Sequence, residues 1–317
     1  MSFKRRLVSF KPVKALFVAL GGLVVFAALA VAGQASAATL SGPWAPFTNC
    51  PVNDPAFVNY PHTTYGSSCV AESSLSGSLT IGKTIVQTGS TSLQFGVPGS
   101  EAGKSVAGFI VPASDNQTLV AAPAQVPGGL LGLMCPSNVL VVSALCDEAM
   151  NNGLNQVTAT AELAATPTTF YELNGMSTGA PILTLPIKIQ LQNPLLGSSC
   201  YIGSDQEPIV LRPETTVRGT LGHVVLDPNG YPVTFLTISG ATQGDSTFAV
   251  PGTSGCGGAL LSPVVDRAIN LKQGLPSPAG NNDLVLDQAT STVAYTSSGS
   301  GQTILSNAWK ASCLAEC

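Results

Sequence analysis

The stretch LTLPIKIQL, residues 183–191, decides the fold class. Aliphatic side chains occupy every odd-numbered position, and polar residues or a proline occupy the positions between them. A period of two over nine residues predicts a β-strand with one buried face and one wet face. Residues 157–163 repeat the alternation. Pro186 cannot donate a ladder hydrogen bond, so it favours an edge position or a bulge.

Proline and glycine interrupt the rest of the chain frequently, which leaves little room for long helices. Asp227-Pro228-Asn229-Gly230 is typical of a hairpin turn, because glycine accepts a positive φ. The sequence therefore predicts a mainly β fold, with sandwich-like antiparallel sheets, a few short helices and stabilising disulfides. Further strands are predicted at residues 78–81, 93–97, 109–111, 217–226, 233–238 and 247–250, and short helices at 139–150, 259–271 and 304–315.

The N-terminus has the organisation of a secretory signal. Five Lys and Arg residues precede an uncharged apolar run over residues 15–32, and Ala35-Ser36-Ala37 follows it. Small residues at this place are typical of a cleavage site, here between Ala37 and Ala38. We expect residues 1–37 to be a signal peptide and residues 38–317 to form a secreted, extracellular mainly β domain. The alternatives are a membrane anchor, which the length of the run allows, and export through the twin-arginine route at Arg5-Arg6.

The charge of the mature chain excludes two classes of partner. Loss of the five leader cations leaves eight Lys and Arg against seventeen Asp and Glu, a net charge near −9. A protein of this charge lacks the basic surface that nucleic acids need. Attraction to an anionic membrane surface is excluded for the same reason.

The chain has eight cysteines, all after the apolar run. An even number in an exported chain predicts disulfides. A metal site would need Cys-x-x-Cys or clustered histidines, and only His62 and His223 exist, so we expect no metal and no cofactor. The predicted bridges are Cys50–Cys69, Cys135–Cys146, Cys200–Cys256 and, with awkward geometry if residues 304–315 form a helix, Cys313–Cys317.

A faint internal repeat raises the possibility of two related halves meeting near residue 170. Val126-Pro127-Gly128 precedes an apolar stretch with Cys135, and Val250-Pro251-Gly252 precedes one with Cys256. Coincidence in a chain rich in proline and glycine explains the repeat nearly as well.

One short motif resembles a hydrolase nucleophile. Gly175-Met176-Ser177-Thr178-Gly179 has the Gly-x-Ser-x-Gly spacing, and a triad of Ser177, Asp205 and His223 follows the usual chain order. The motif needs a strand before the serine and a helix after it, whereas Ala180-Pro181 and a predicted strand follow here. A glycine-rich turn between strands is the favoured interpretation of Ser177.

The stretch 128–146 is uncharged and strongly apolar. If it is exposed, it would form a surface for a lipid or a sterol. If it is buried, it is a core element tied by Cys135–Cys146, which is the interpretation we favour.

Five stretches of the chain carry a resemblance to known proteins, namely 44–47, 50–52, 126–137 (VPGGLLGLMCPS), 200–213 (CYIGSDQEPIVLRP) and 274–287 (GLPSPAGNNDLVLD). They resemble a family of secreted actinobacterial proteins of mostly unassigned function, some of which are labelled cholesterol esterase. The resemblance implies a secreted protein but carries no catalytic motif onto numbered positions. We therefore expect a non-catalytic role in binding an apolar or lipid-like ligand or a cell-surface component. The alternative is a secreted esterase that acts on lipid or sterol esters.

Overall fold

The computed structural model describes residues 39–60, 66–100, 109–227, 232–296 and 300–315. It is mainly β, as the sequence predicts, and residues from Thr39 onward belong to one compact unit. The predicted signal and its cleavage site, His62 and the Asn229-Gly230 turn lie outside the described residues. None of the helices within those ranges is long and apolar enough to cross a membrane.

The strands and helices are short and follow one another in close succession. The strands are β1 Thr39–Leu40, β2 Gly66–Ser74, β3 Ser76–Ile81, β4 Thr84–Thr88, β5 Thr91–Ser100, β6 Val111–Pro112, β7 Leu119–Ala121, β8 Ala124–Gln125, β9 Thr158–Leu163, β10 Leu185–Gln192, β11 Tyr201–Ile202, β12 Ile209–Leu211, β13 Glu214–Val217, β14 Thr220–Leu226, β15 Val233–Asp245, β16 Thr253–Ser254, β17 Asp283–Thr296 and β18 Cys313–Ala315. The helices are α1 Pro55–Val58, α2 Gly129–Met134, α3 Leu140–Asn151, α4 Gly258–Gln273 and α5 Gly301–Ala311, with short 3-10 helices at Gly42–Trp44, Ser114–Asn116 and Glu172–Met176.

Two antiparallel sheets form the body of the protein. Within the described ranges, the larger sheet has ten strands, ordered β13-β15-β17-β2-β5-β6, with β14 on β15, β3 on β17, β4 on β3 and β7 on β5. The smaller sheet has six, ordered β16-β11-β10-β9-β8, with β12 on β10. Buried aliphatic residues of both sheets belong to one core cluster, so the sheets pack face to face.

The other face of the larger sheet is covered by segments from both ends of the described chain. Trp44, Phe47 and Phe57 from the N-terminal side pack with Leu305 and Trp309 of α5 in a second core cluster. The indole N–H of Trp309 donates to the Phe47 carbonyl at 2.8 Å, which satisfies a buried polar group. The central strands of the larger sheet are therefore buried on both faces, whereas β14 at its edge is exposed.

The deciding stretch forms β10, but it is not an edge strand. β9 pairs with it on one side, and β11 and β12 pair with it on the other. The prediction of an edge position from Pro186 is therefore wrong. The regular pairing with β9 ends at Ile187 opposite Leu163, so the proline lies just beyond that ladder, where a missing donor does least harm.

Two further sequence predictions differ from the structure: one predicted strand is absent, and one predicted helix ends early. Residues 247–250 do not form a strand, because both the backbone N–H and the hydroxyl of Thr247 donate to Asp245 at 2.7 Å and end β15 in a turn. The C-terminal helix ends at Ala311, and Cys313–Ala315 instead pairs with β1.

Disulfides join Cys50 to Cys69, Cys135 to Cys146 and Cys200 to Cys256, the neighbour pairings expected from the sequence. The first lies in the layer that covers the larger sheet, and the other two lie in the core between the sheets. Cys313 is also disulfide-bonded, while its expected partner Cys317 lies outside the described residues.

Candidate functional site

An apolar cavity lies between the two sheets. It has a volume of about 130 Å³, and its wall is almost entirely aliphatic. The larger sheet contributes Leu79, Leu93 and Leu286, and the smaller sheet contributes Ala161, Ile187 and Ile189. The alternation that predicts β10 thus also determines which of its side chains line the cavity.

Small residues explain why space remains there. Packed sheets lie about 10 Å apart, so facing side chains must be large to meet in the middle. On the smaller sheet, β9 contributes Ala159 and Ala161 to the wall and β8 contributes Ala124, while Ala121 lines it from β7 of the larger sheet. Methyl groups cannot span that distance, and the aliphatic residues opposite them leave a gap.

Several polar side chains in the cavity wall are occupied with each other. The Thr84 hydroxyl donates to Gln273 at 2.5 Å, and the Gln273 amide donates to the carbonyls of Gly132 and Leu133 at 2.9 Å. The hydroxyls of Ser74 and Thr91 pair at 2.7 Å. The Thr88 hydroxyl, by contrast, has no hydrogen-bond partner. Most of the wall therefore behaves as an apolar surface.

Glu72 is the one carboxyl group in that wall. It belongs to β2, and Ser291 of β17 lies directly opposite and donates to its Oε2 at 2.8 Å. Glu72 is half-buried by exposed surface but closely surrounded by protein atoms. Desolvation by these atoms raises the pKa of Glu72, and the side-chain hydrogen bonds from Ser291 and Gln243 lower it by less.

A smaller apolar crevice of about 40 Å³ also reaches Glu72. The 3-10 helix Glu172–Met176 covers it, and Leu173, Met176 and Leu221, each partly exposed, lie along it. Glu72 and Ser291 line this crevice, and Glu72 lines the cavity as well. Glu72 therefore lies where the two spaces meet.

The predicted triad residues occupy separate environments. The Ser177 hydroxyl bonds to the Asn174 carbonyl at 3.4 Å. Asp205 accepts from Lys188 at 2.8 Å on the surface, and His223 is an exposed residue of β14 opposite Leu236. Within the described ranges no hydrogen bond joins Ser177 to either of the other two, so the structure does not show a relay.

The backbone around Ser177 also differs from a nucleophile elbow. A 3-10 helix precedes the serine, and isolated bridges at Thr178 and Pro181 follow it. The elbow needs the reverse, a strand before the serine and a helix after it. This agrees with the interpretation of Ser177 as a turn residue.

The apolar stretch 128–146 is divided between core and surface. Leu130, Leu133 and Met134 of α2 are buried, as is Val142 of α3. Residues 138–141, where α3 begins, are exposed, and Leu140 is 85% exposed. The favoured interpretation as a core element therefore holds for α2 and Val142, and the start of α3 forms an exposed apolar surface.

Sequence reasoning missed Glu72. The signal was present in β2, where Glu72 lies two residues after Val70 and so shares its face of the strand. In a strand whose apolar and polar residues alternate, the position two residues after a buried valine is normally apolar, so a glutamate there is an exception. It went unnoticed because β2, GSSCVAESS, has too few apolar residues to be recognised as a strand.

No group of three or more candidate metal ligands occurs within the described ranges. Comparison with protein-family models, with curated proteins and with solved structures gives no match to this chain.

Proposed function

We propose that this is a secreted, non-catalytic protein that binds a small apolar molecule, or the end of a longer apolar chain, between its two sheets. The observation that carries the proposal is the aliphatic cavity of about 130 Å³. An engineered apolar cavity of about 150 Å³ in another protein stays dry and binds benzene or xenon. A space of this size accommodates a ring or a short hydrocarbon chain.

The driving force for such binding is apolar contact. Side chains that line a water-free void have no atoms to contact on that side and so lose dispersion energy. A ligand restores them and removes its own apolar surface from water, at about 25 cal/mol per Å². Affinity therefore increases with the number of carbons that fit until the cavity is full.

Secretion is part of the proposal and has its own support. The three disulfides fit an oxidising compartment, and the resemblance to secreted actinobacterial proteins points the same way. N-terminal sequencing of material from the culture medium should find Ala38 first. A mature chain that retains residues 15–32 would contradict this part of the proposal.

The esterase alternative has less support. Its candidate nucleophile, Ser177, bonds to a backbone carbonyl and not to an imidazole. Acid–base activation requires a base within hydrogen-bond reach of the hydroxyl. The resemblance to proteins labelled cholesterol esterase suits an apolar ligand as well as it suits an ester substrate.

The binding proposal is tested by titrating the protein with benzene and with hexane while observing the methyl resonances of cavity residues. We expect saturable shifts at Ile187 and Ile189, which line the cavity. Ala161→Leu, which places a larger side chain in the cavity, should weaken binding at least tenfold. Ala259→Leu, the same change at an exposed position of α4, should leave it unchanged. Absence of saturable shifts up to the solubility of both compounds would refute the proposal.

A further inference from the structure

The position of Glu72 is unusual for a carboxyl group. Val70 and Glu72 lie on the same face of β2, and on that face Leu93 and Ser291 flank Glu72 on the neighbouring strands. An aliphatic cavity lies on one side of it and an apolar crevice on the other. A strand position of this kind normally holds a valine or a leucine.

Among the residues that the structure describes, no cation forms an ion pair with this carboxyl group. The ion pair found among the described residues joins Lys188 to Asp205, and the partners of Glu72 are the neutral side chains of Ser291 and Gln243. Burial of an unpaired carboxylate disfavours its charged form, which raises the pKa of Glu72. A neutral carboxyl group can both donate and accept a hydrogen bond.

One of the two residues that position Glu72 has a hydrogen-bond acceptor without a partner. Gln243 is 2% exposed, yet its Oε1 atom has no partner. Its Nε2 atom lies 3.5 Å from the Ser291 hydroxyl. A buried acceptor without a partner lowers stability. Gln243 is not among the residues that line the cavity or the crevice, so it acts by holding Ser291 and Glu72 in place, and the polar group within reach of a ligand is Glu72 itself.

We propose that Glu72, positioned by Ser291 and Gln243, is the polar anchor for a single neutral hydroxyl group on the apolar ligand. The inference rests on the proposed function and names the class of ligand, a small aliphatic alcohol or an apolar chain that ends in a hydroxyl. A hydroxyl both donates and accepts, so it can pair with the Glu72 carboxyl group in either protonation state. An ammonium group would have to draw Glu72 into its charged form, which burial disfavours, and a ligand carboxylate would bring an unpaired anion into an apolar cavity.

The test compares four ligands that share one chain, namely hexane, 1-hexanol, hexylamine and hexanoate. Each is titrated into the full-length protein, into Glu72→Leu and into Glu72→Gln, again with the cavity methyl resonances as the readout. Glu72→Leu should weaken 1-hexanol binding about tenfold and leave hexane bound as tightly or more tightly. Glu72→Gln keeps a group that donates and accepts, so it should retain 1-hexanol affinity within about threefold.

A direct measurement on the wild-type protein keeps the test decisive if Glu72→Leu does not fold. The carboxyl ¹³C resonance of Glu72 should shift when 1-hexanol binds and stay unchanged when hexane binds.

The outcomes separate the two proposals. If hexane binds and the affinity for 1-hexanol is the same in the wild-type protein and in Glu72→Leu, the anchor alone is overturned. Tighter binding of hexylamine or hexanoate than of 1-hexanol would overturn the hydroxyl class. Failure of both hexane and 1-hexanol to bind the wild-type protein would overturn the proposed function and the anchor together.

Discussion

The two faces of the ten-stranded sheet are packed in opposite ways. On one face, Trp44 meets Phe47 and Phe235 edge to face, with ring centroids 5.6 and 5.1 Å apart. On the other face, leucine and isoleucine side chains meet the alanines of β9 across a cavity. The inter-sheet core also has an aromatic pair, Phe95 and Phe170, but neither residue lines the cavity, whose wall is built from aliphatic and small residues.

This difference assigns separate tasks to the two layers. Close packing with correct aromatic geometry gives stability beyond the area buried. A void in a core lowers stability, so a cavity is retained only where the rest of the fold can tolerate it. The aromatic layer supplies stability, and the inter-sheet layer contains the space that we assign to the proposed ligand.

The largest expected effect is at Phe235, in the aromatic layer. Phe235→Ala removes a ring that is 2% exposed and packed on Trp44. We expect a loss of about 3–5 kcal/mol in the free energy of unfolding, as for other buried aromatic truncations. Urea unfolding measures it, with Phe235→Leu as the milder control. A loss below about 1 kcal/mol would mean that the aromatic face is less tightly packed than its ring contacts indicate.

A matched pair of substitutions compares the two faces directly. Ala294 is fully buried in the aromatic layer, and Ala161 lines the cavity. Ala294→Leu should lower the free energy of unfolding by about 1–3 kcal/mol, since extra methylenes in a filled core cause strain. Ala161→Leu should change it by less than about 1 kcal/mol in either direction, because space already exists there. Equal losses at the two positions would abolish the contrast between the faces.

A smaller effect, dependent on pH, is expected at Glu72. Its pKa is raised in the folded state by burial, so folding favours the protonated form. Its contribution to stability is therefore present below the pKa of the unfolded chain and is lost as pH rises through the folded-state pKa. Glu72→Gln has no proton to lose, so its stability relative to wild type should increase between pH 4 and pH 8.

Urea unfolding at both pH values measures this change. Glu207→Gln, at an exposed loop position, serves as the control and should show no such trend. A gain for Glu72→Gln that is larger at pH 4 than at pH 8 would reverse the expected sign and contradict the buried, uncompensated position of Glu72.

The smallest effect is expected at Ser177, outside both cores. Its hydroxyl makes one long hydrogen bond of 3.4 Å to Asn174. Ser177→Ala should change the free energy of unfolding by no more than about 0.5 kcal/mol, and hexane binding should be unaffected. If the protein hydrolyses a long-chain ester, the rate should change little. A loss of about a thousandfold with the fold intact would favour the esterase alternative.

The sequence predicted the fold class because β10 and β9 alternate cleanly, and alternation reports one buried face. It failed for β17 and β2, which lie side by side in the larger sheet. Both faces of that sheet are buried at these central strands, so their residues need not alternate in polarity. In β17, a positive φ of 51° at Gln288 and irregular pairing with β15 nearby further disturb the pattern.

The candidate site was less predictable than the fold. An inter-sheet cavity arises from which alanines face which leucines, and that depends on how the two sheets are placed. The apolar lining residues could be assigned to a buried face from the sequence alone, but the space between Ala161 and Leu286 could not. The serine motif drew attention because it is local in sequence, whereas Glu72 and Ser291 are 219 positions apart.

The pairing of β1 with β18 has a consequence for the order of assembly. The backbone N–H and the hydroxyl of Ser41 both donate to the carbonyl of Ser312, 271 positions away. During synthesis, the segment at Thr39–Leu40 has no strand to pair with until Cys313–Ala315 has been made. Contacts of such separation close late, because the entropy of a long loop must be overcome first. A substitution at residues 313–315 that weakens this pairing is therefore expected to leave residues 39–41 unpaired as well, although those residues are translated first.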